Sequence, residues 1–487
     1  MSSQHNTSSP HHARRWWVLA LIGVAQLMVV LDATIVNIAL PSAQSALEFS
    51  DANRQWIVTA YALAFGSLLL IGGRIGDLFG RKRVFIAGLL GFAVASAIGG
   101  AAQSFGMLVF ARALQGVFGA LLAPAALSLL TTTFTDPGER GRAFGIFGAI
   151  AGSGAAIGLL LGGVLTEYLS WRWCLYVNLL FAVPTAFAAI TLLHDEAHPA
   201  KPRLDIPGTL TSALGLFALV YGFAEAESEG WGASTTIAFL AAGVALLAVF
   251  VWLQTRTEHP LLPLRVVRDR DRGGAYFAIG ITGAGMFGVF LFLTYYLQQT
   301  LGFSPVETGL AFLPLSFAIM LTATSATAQL MPRFGHKPLI VTGLAMSAAG
   351  MVLLAQVGVD SEYLTHVLPG LVVMGLGLGL VFAPGMSIAT IGVDPHDAGV
   401  ASAMVNTTQQ VGGSIGTALL STLFASAVSG FIADNGPRAA GEAAVHGYTT
   451  AFWWSAAIFA VGAVVSLLLL KSGVKQADPA AEPVLVH

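Results

Sequence analysis

Charge is scarce in this chain: Lys, Arg, Asp and Glu make up 10% of its 487 residues, against about 25% in soluble domains. That shortage excludes an ordinary water-soluble globule. With hydrophobic residues at 55% and a mean hydropathy of +0.76, the chain is one that lives in lipid. A net charge of −2 leaves no basic face to neutralise phosphates, which argues against a nucleic-acid partner. Cysteine is almost missing as well: Cys174 alone rules out an intrachain disulfide and leaves the redox compartment open. The 11 histidines fall mostly in termini and loops, as at His11, His12, His194 and His198, without ligand spacing for a metal. There is no Walker loop, so ATP is not the energy source. No His/Cys/Asp constellation faces either interface as an enzyme would need, and no cofactor is expected.

What the chain has in plenty is glycine, 56 residues of it, and long apolar runs. Runs of the roughly 20 residues needed to span a bilayer recur at 16–40, 53–72, 84–102, 106–130, 141–165, 173–193, 207–226, 234–254, 274–297, 308–330, 338–357, 365–391, 398–428 and 448–470. That makes fourteen. The first is too long for a signal h-region and has no small-residue cleavage site after it, so it is expected to be retained. With the N-terminus inside, only Arg54, Arg172 and Arg438 of the 23 lysines and arginines fall in outer loops, and Arg112 falls within a span. All the others lie on the cytoplasmic side, as the positive-inside rule requires. The acids Glu225, Glu227, Glu229, Asp360 and Glu362 are expected on the outer side.

The chain repeats itself. Gly73-Arg-Ile-Gly-Asp-Leu-Phe-Gly-Arg-Lys-Arg83, read as the loop after span 2, has a shorter echo after span 10 in Pro332-Arg-Phe-Gly-His-Lys337. Aligning the two makes halves of spans 1–6 and 9–14, with spans 7 and 8 inserted. The expected fold is an all-α polytopic membrane protein: two six-helix bundles related by a pseudo-twofold, plus two inserted helices. The divisions are a cytoplasmic tail 1–15, a bundle 16–194, an insert with cytoplasmic linkers 195–272, a bundle 273–471 and a tail 472–487. Two facing bundles are the arrangement of an alternating-access transporter.

One acid stands out. Asp32, in Leu31-Asp-Ala-Thr-Ile-Val-Asn-Ile-Ala-Leu-Pro41, lies about 24 Å along the helix from Trp16, inside the hydrocarbon. An ionised side chain there costs at least a few kcal/mol, and it is kept only if paired, wet or used. Asp32 is therefore the expected proton site, wetted from alternate sides. On the fifth span Gly154, Gly158, Gly162 and Gly163 form a small-residue face for close helix contact. Gln26, Asn37, Tyr61, Gln115, Tyr295, Gln298, Asn406, Gln409 and Trp454 are polar or amphipathic groups in or near spans. They are candidates for an apolar cavity with few polar groups, suited to amphipathic ligands.

The 73–83 motif, Arg112-Ala-Leu-Gln-Gly116 in the fourth span and the glycine-rich fifth span together resemble the major facilitator superfamily. The fourteen spans and the Leu31–Pro41 stretch are similar to its drug:proton antiporter branch. One departure is Gly154-Ala-Ala-Ile-Gly158-Leu159, where the family signature has a proline at Leu159. The resemblance implies an efflux transporter of the plasma (inner) membrane, monomeric, with both termini cytoplasmic, exchanging protons for an amphipathic small molecule. It implies that Arg112 tunes the acid on the first span. It also implies that Gly73, Arg74, Gly76, Asp77, Gly80, Arg81 and Arg83 form a cytoplasmic latch between the halves. A proton-coupled importer, and from another class a membrane sensor or a lipid-modifying enzyme, are the alternatives.

Overall fold

The computed structural model describes residues 10–49, 51–193, 205–258, 260–394 and 397–473. Among these, thirteen helices are long and apolar enough to cross a membrane; a further one of 32 residues, Pro137–Tyr168, completes fourteen. In chain order they are α1 (Pro10–Leu47), α2 (Asp51–Phe79), α3 (Arg81–Gly100), α4 (Phe105–Thr133), α5 (Pro137–Tyr168), α6 (Trp173–Leu192), α7 (Ile206–Ser228) and α8 (Ser234–Gln254). There follow α9 (Arg270–Thr300), α10 (Val306–Phe334), α11 (His336–Leu354), α12 (Tyr363–Thr390), α13 (Ala398–Asn435) and α14 (Ala440–Leu469). A five-residue helix, Leu264–Arg268, sits between α8 and α9. No strand occurs among the described residues. Helices alone satisfy every backbone group internally, the condition lipid imposes.

Packing repeats between the halves. In the first, α4 packs on α1, α2 and α3, and α1 and α3 both pack on α6, with α1 also against α5. In the second, α12 packs on α9, α10 and α11, and α9 and α11 both pack on α14, with α9 also against α13. The contacts across the halves obey the same exchange: α5 meets α10 and α12, and α13 meets α2 and α4. The inserted α7 lies along α8 and touches α2 and α13, so it sits beside the seam.

Several sequence expectations need correction. The 73–83 stretch is not a loop. α2 runs through Phe79, Gly80 alone turns the corner at φ 96°, and α3 starts at Arg81. The echo behaves identically, with Gly335 at φ 77° between Phe334 and His336; a left-handed corner of one residue favours glycine. α1 and α13, at 38 residues each, extend well past the apolar runs. Glu225 and Glu227 lie in the last turn of α7. α12 continues through Pro384, as membrane helices tolerate. α5 likewise runs unbroken past Leu159, which keeps its backbone N–H.

Candidate functional site

Small residues set the site up. A Cβ on Gly158 of α5 would lie 2.1 Å from Thr34 Oγ1 and 3.0 Å from the Leu31 carbonyl oxygen, so only glycine lets α1 come this near, right at Asp32. Gly154 and Gly162 meet Val30 and Ile35 of the same helix. Gly163 is buried. On α4, a Cβ at Gly116 would lie 2.6 Å from the Tyr61 carbonyl oxygen, which brings α2 against the turn that carries Arg112 and Gln115. Those two are three residues apart and share a helix face.

The result is a buried ion pair. Arg112 Nη1 donates to Asp32 Oδ2 at 2.6 Å, with side-chain exposures of 1% and 0%. Gln115 Nε2 donates to Asp32 Oδ1 at 2.9 Å, while its Oε1 accepts from Arg112 at 2.8 Å. Asn178 Nδ2 of α6 donates to the same Oδ1 at 2.7 Å. Ser96 Oγ of α3 accepts from Gln115 at 2.7 Å. Arg112 also gives its Nε–H to the Ile57 carbonyl at 3.3 Å, and its guanidinium lies 4.5 Å over the Tyr61 ring, a cation–π contact. Five helices of the first half thus converge on one carboxylate. Removing one member of such a pair strands a buried charge and costs about 3–5 kcal/mol.

The structure brings Asp32, Arg112, Gln115 and Tyr61 together, with Gln115 bonded to both members of the ion pair and Tyr61 beneath the Arg112 guanidinium. Ser96 and Asn178 were missed. The one signal for Asn178 is that it is an amide in an otherwise apolar stretch of α6, a weaker mark than a charge because small polar side chains are common in membrane helices.

A second polar cluster lies where the basic residues gather, here termed the basic end. Asp77 Oδ1 of α2 accepts the Gly399 N–H at 3.0 Å, in the first turn of α13. A carboxylate at a helix N-terminus is favoured by the orphan N–H groups and the dipole, and here it comes from the opposite half. Arg81 stands 3.5 Å from Asp77 and is buried, whereas Arg83 is exposed. Gly73 permits the approach, since a Cβ there would lie 2.5 Å from the Gly399 carbonyl oxygen. Gly76 meets nothing within 4 Å. Arg74 is in electrostatic reach of both Asp77 and Asp397. Asp397 itself pairs with Arg265 at 2.5 Å. Burial pushes the Asp397 carboxyl above the usual range, with Arg265 opposing. Arg140 of α5 donates to Thr390 Oγ1 of α12 at 3.2 Å, a second bond across the halves.

The remaining candidates are dispersed. Gln26 is buried in α1 and Trp454 is 48% exposed on α14. Tyr295 is exposed and Gln298 half-buried at the end of α9. Asn406 donates to the Ser402 carbonyl at 3.1 Å within α13, and the Gln409 backbone carbonyl abuts Gly283. The side chain of Asn37 lies outside the described residues.

The profile of the Major Facilitator Superfamily matches residues 22–417. The puromycin resistance protein pur8 of Streptomyces alboniger is 51% identical over 469 residues, which cover 96% of this chain and 93% of that protein. The cephamycin export protein CmcT of Amycolatopsis lactamdurans is 39% identical over 419 residues, 85% of this chain and 86% of that protein. Among solved structures, the human organic anion transporter MFSD10 (TETRAN) superposes with a TM-score of 0.63 over 95% of this chain and 100% of that one. Its 14% identity makes that a likeness of fold.

Proposed function

The chain belongs to the major facilitator superfamily, and from that premise we propose that it expels amphipathic, antibiotic-like molecules in exchange for protons. It is a multi-pass membrane transporter and not an enzyme. The relatives named for puromycin resistance and cephamycin export support the direction and the substrate class. In this reading the chain sits in the inner membrane as a single copy, with the basic end and both termini in the cytoplasm. The bundles span 16–194 and 273–471, with 195–272 between them.

The observation that carries the coupling is the buried Asp32–Arg112 pair at 2.6 Å. A guanidinium keeps its charge at any relevant pH, so Asp32 is the group that carries the proton and Arg112 the group that holds it in place. The junction of Asp77 with the α13 N-terminus acts as the latch. Closed, it shuts the cytoplasmic end; broken, it lets the halves rock apart on that side. A contact made in one state and lost in the other is what gating needs. Gln26, Asn37, Tyr295, Gln298, Asn406, Gln409 and Trp454 are the groups proposed to face the substrate path, with Tyr61 and Gln115 bordering it from the ion pair.

Expression in cells stripped of their own pumps tests this. Puromycin tolerance should rise, collapse with a protonophore, and be missing in Asp32→Asn made at equal level. Tolerance that survives the protonophore or the substitution would refute proton coupling through this acid.

A further inference from the structure

Asp32 faces donors only. Arg112 Nη1 reaches Oδ2 at 2.6 Å, while Oδ1 receives Gln115 Nε2 at 2.9 Å and Asn178 Nδ2 at 2.7 Å. This suits a carboxylate. A carboxylic acid would carry an O–H in need of an acceptor, and a guanidinium has none. The titratable groups in reach are Arg112 from α4, Tyr61 from α2 and Cys174 from α6; none of them receives a hydrogen bond from Asp32.

Among the three groups that hydrogen-bond Asp32, only the primary amides can exchange a donor for an acceptor by turning about the last bond. Gln115 is tied on both sides, its Oε1 to Arg112 at 2.8 Å and its Nε2 to Ser96 at 2.7 Å as well as to Asp32. Asn178 is tied less. It is fully buried, its second contact to Ser96 Oγ is long at 3.3 Å, and its Oδ1 has no hydrogen-bond partner among the described residues. A buried carbonyl oxygen left idle is unfavourable.

We propose that Asn178 is the positioning residue that lets Asp32 hold a proton, by turning its idle amide oxygen toward the new acid. The inference rests on Asp32 being the proton site, as argued above. A hydronium ion gives its proton to Asp32 Oδ1 and leaves as water. The Asn178 amide turns over, and its Oδ1 accepts the new O–H. The Ser96 hydroxyl, an acceptor toward both amides in the present arrangement, rotates to donate to the same oxygen. Arg112 keeps its charge and its bonds to Oδ2 and Gln115. On release a water takes the proton, and the amide turns back. No other atom changes hands.

Infrared difference spectra between acid and alkaline pH test this on the whole protein in lipid, made with carbonyl-labelled asparagine. A carboxylic C=O band is expected at acid pH and should vanish in Asp32→Asn. A labelled amide C=O band should move to lower wavenumber in step with it. That band should vanish in Asn178→Gln, whose amide carries no label. In vesicles, proton-driven puromycin transport should fall at least about tenfold in Asn178→Leu, with Asn178→Gln losing less. A labelled amide that stays silent while the Asp32 band titrates overturns this inference and leaves the proton site standing. Absence of any Asp32 band overturns both. If Asn178→Leu fails to assemble, the labelled native protein and Asn178→Gln decide by themselves.

Discussion

In the first bundle Pro124 follows Arg112 and Gln115 by twelve and nine residues; in the second, Pro384 follows Val372 and Gly375 by the same intervals. The helices around them pack alike. A Cβ at Gly116 would strike the Tyr61 carbonyl oxygen at 2.6 Å, and one at Gly375 the Leu315 carbonyl oxygen at 2.5 Å. Yet the second bundle has no counterpart of the ion pair: α12 holds no Asp, Glu, Lys or Arg, and the only acid of α9 is Asp271, in its first turn. Its interior is filled instead by apolar and aromatic groups, with Phe424 stacked between Phe292 and Tyr448 at 5.2 Å from each. Its buried Asp271 and His336, at 3.3 Å, sit in the first turns of α9 and α11, so at the level of the ion pair the same scaffold stands without charge. A buried ion pair is no more stabilising than well-packed apolar side chains, so folding does not explain why the first bundle keeps one.

The largest effect expected from breaking this contrast is at Arg112. Arg112→Leu should lower unfolding stability in detergent by about 3–5 kcal/mol, because Asp32 is left buried and charged without its cation. Adding Asp32→Leu makes the first bundle resemble the second and should recover most of that loss with no proton-driven transport. A double variant as unstable as the single one would mean the pair serves folding after all. Next come the close contacts. Gly158→Leu and Gly379→Leu push a side chain into Thr34 and Thr322 respectively, and each should cost about 1–3 kcal/mol by thermal denaturation. Equal losses would sharpen the claim that the scaffold is shared.

Asp77→Ala should leave the melting curve nearly unchanged while separating the halves at the basic end. Cysteines placed there should label about tenfold faster, the equivalent of ~1.4 kcal/mol for one charge-assisted bond; unchanged labelling would show that Arg140 and Thr390 hold that end unaided. Smallest is Gly76→Ala. With nothing within 4 Å of the added atom, stability should move by no more than about 0.5 kcal/mol and transport should persist, although the position belongs to the motif.

Hydropathy revealed the fourteen helices, and the repeated corner at Gly80 and Gly335 revealed the halves, because lipid admits so few ways to satisfy a backbone. The corner itself was misread as a loop, since one glycine is enough to turn it. Asp32 and Arg112 were legible because ionised groups in hydrocarbon need a reason. Asn178 and Ser96 were not, because small polar side chains are common in membrane helices and their partners sit on other helices. Tyr61 and Gln115 were seen, but their contacts with the ion pair were not. An amphipathic side chain can face a path or a buried charge, and helix rotation decides between them. That rotation is set by Gly116 and Gly158, whose contacts no single stretch of sequence displays.

The three groups that hydrogen-bond Asp32, from Arg112, Gln115 and Asn178, and the Ile57 and Ser96 groups that hold those three, all belong to one bundle. Under the proposed mechanism the acid travels with that bundle as part of a rigid body, while cargo passes along the boundary between bundles. Residues on that boundary can then be exchanged, and the range of exported compounds widened or narrowed, without rebuilding the machinery that harvests the proton gradient.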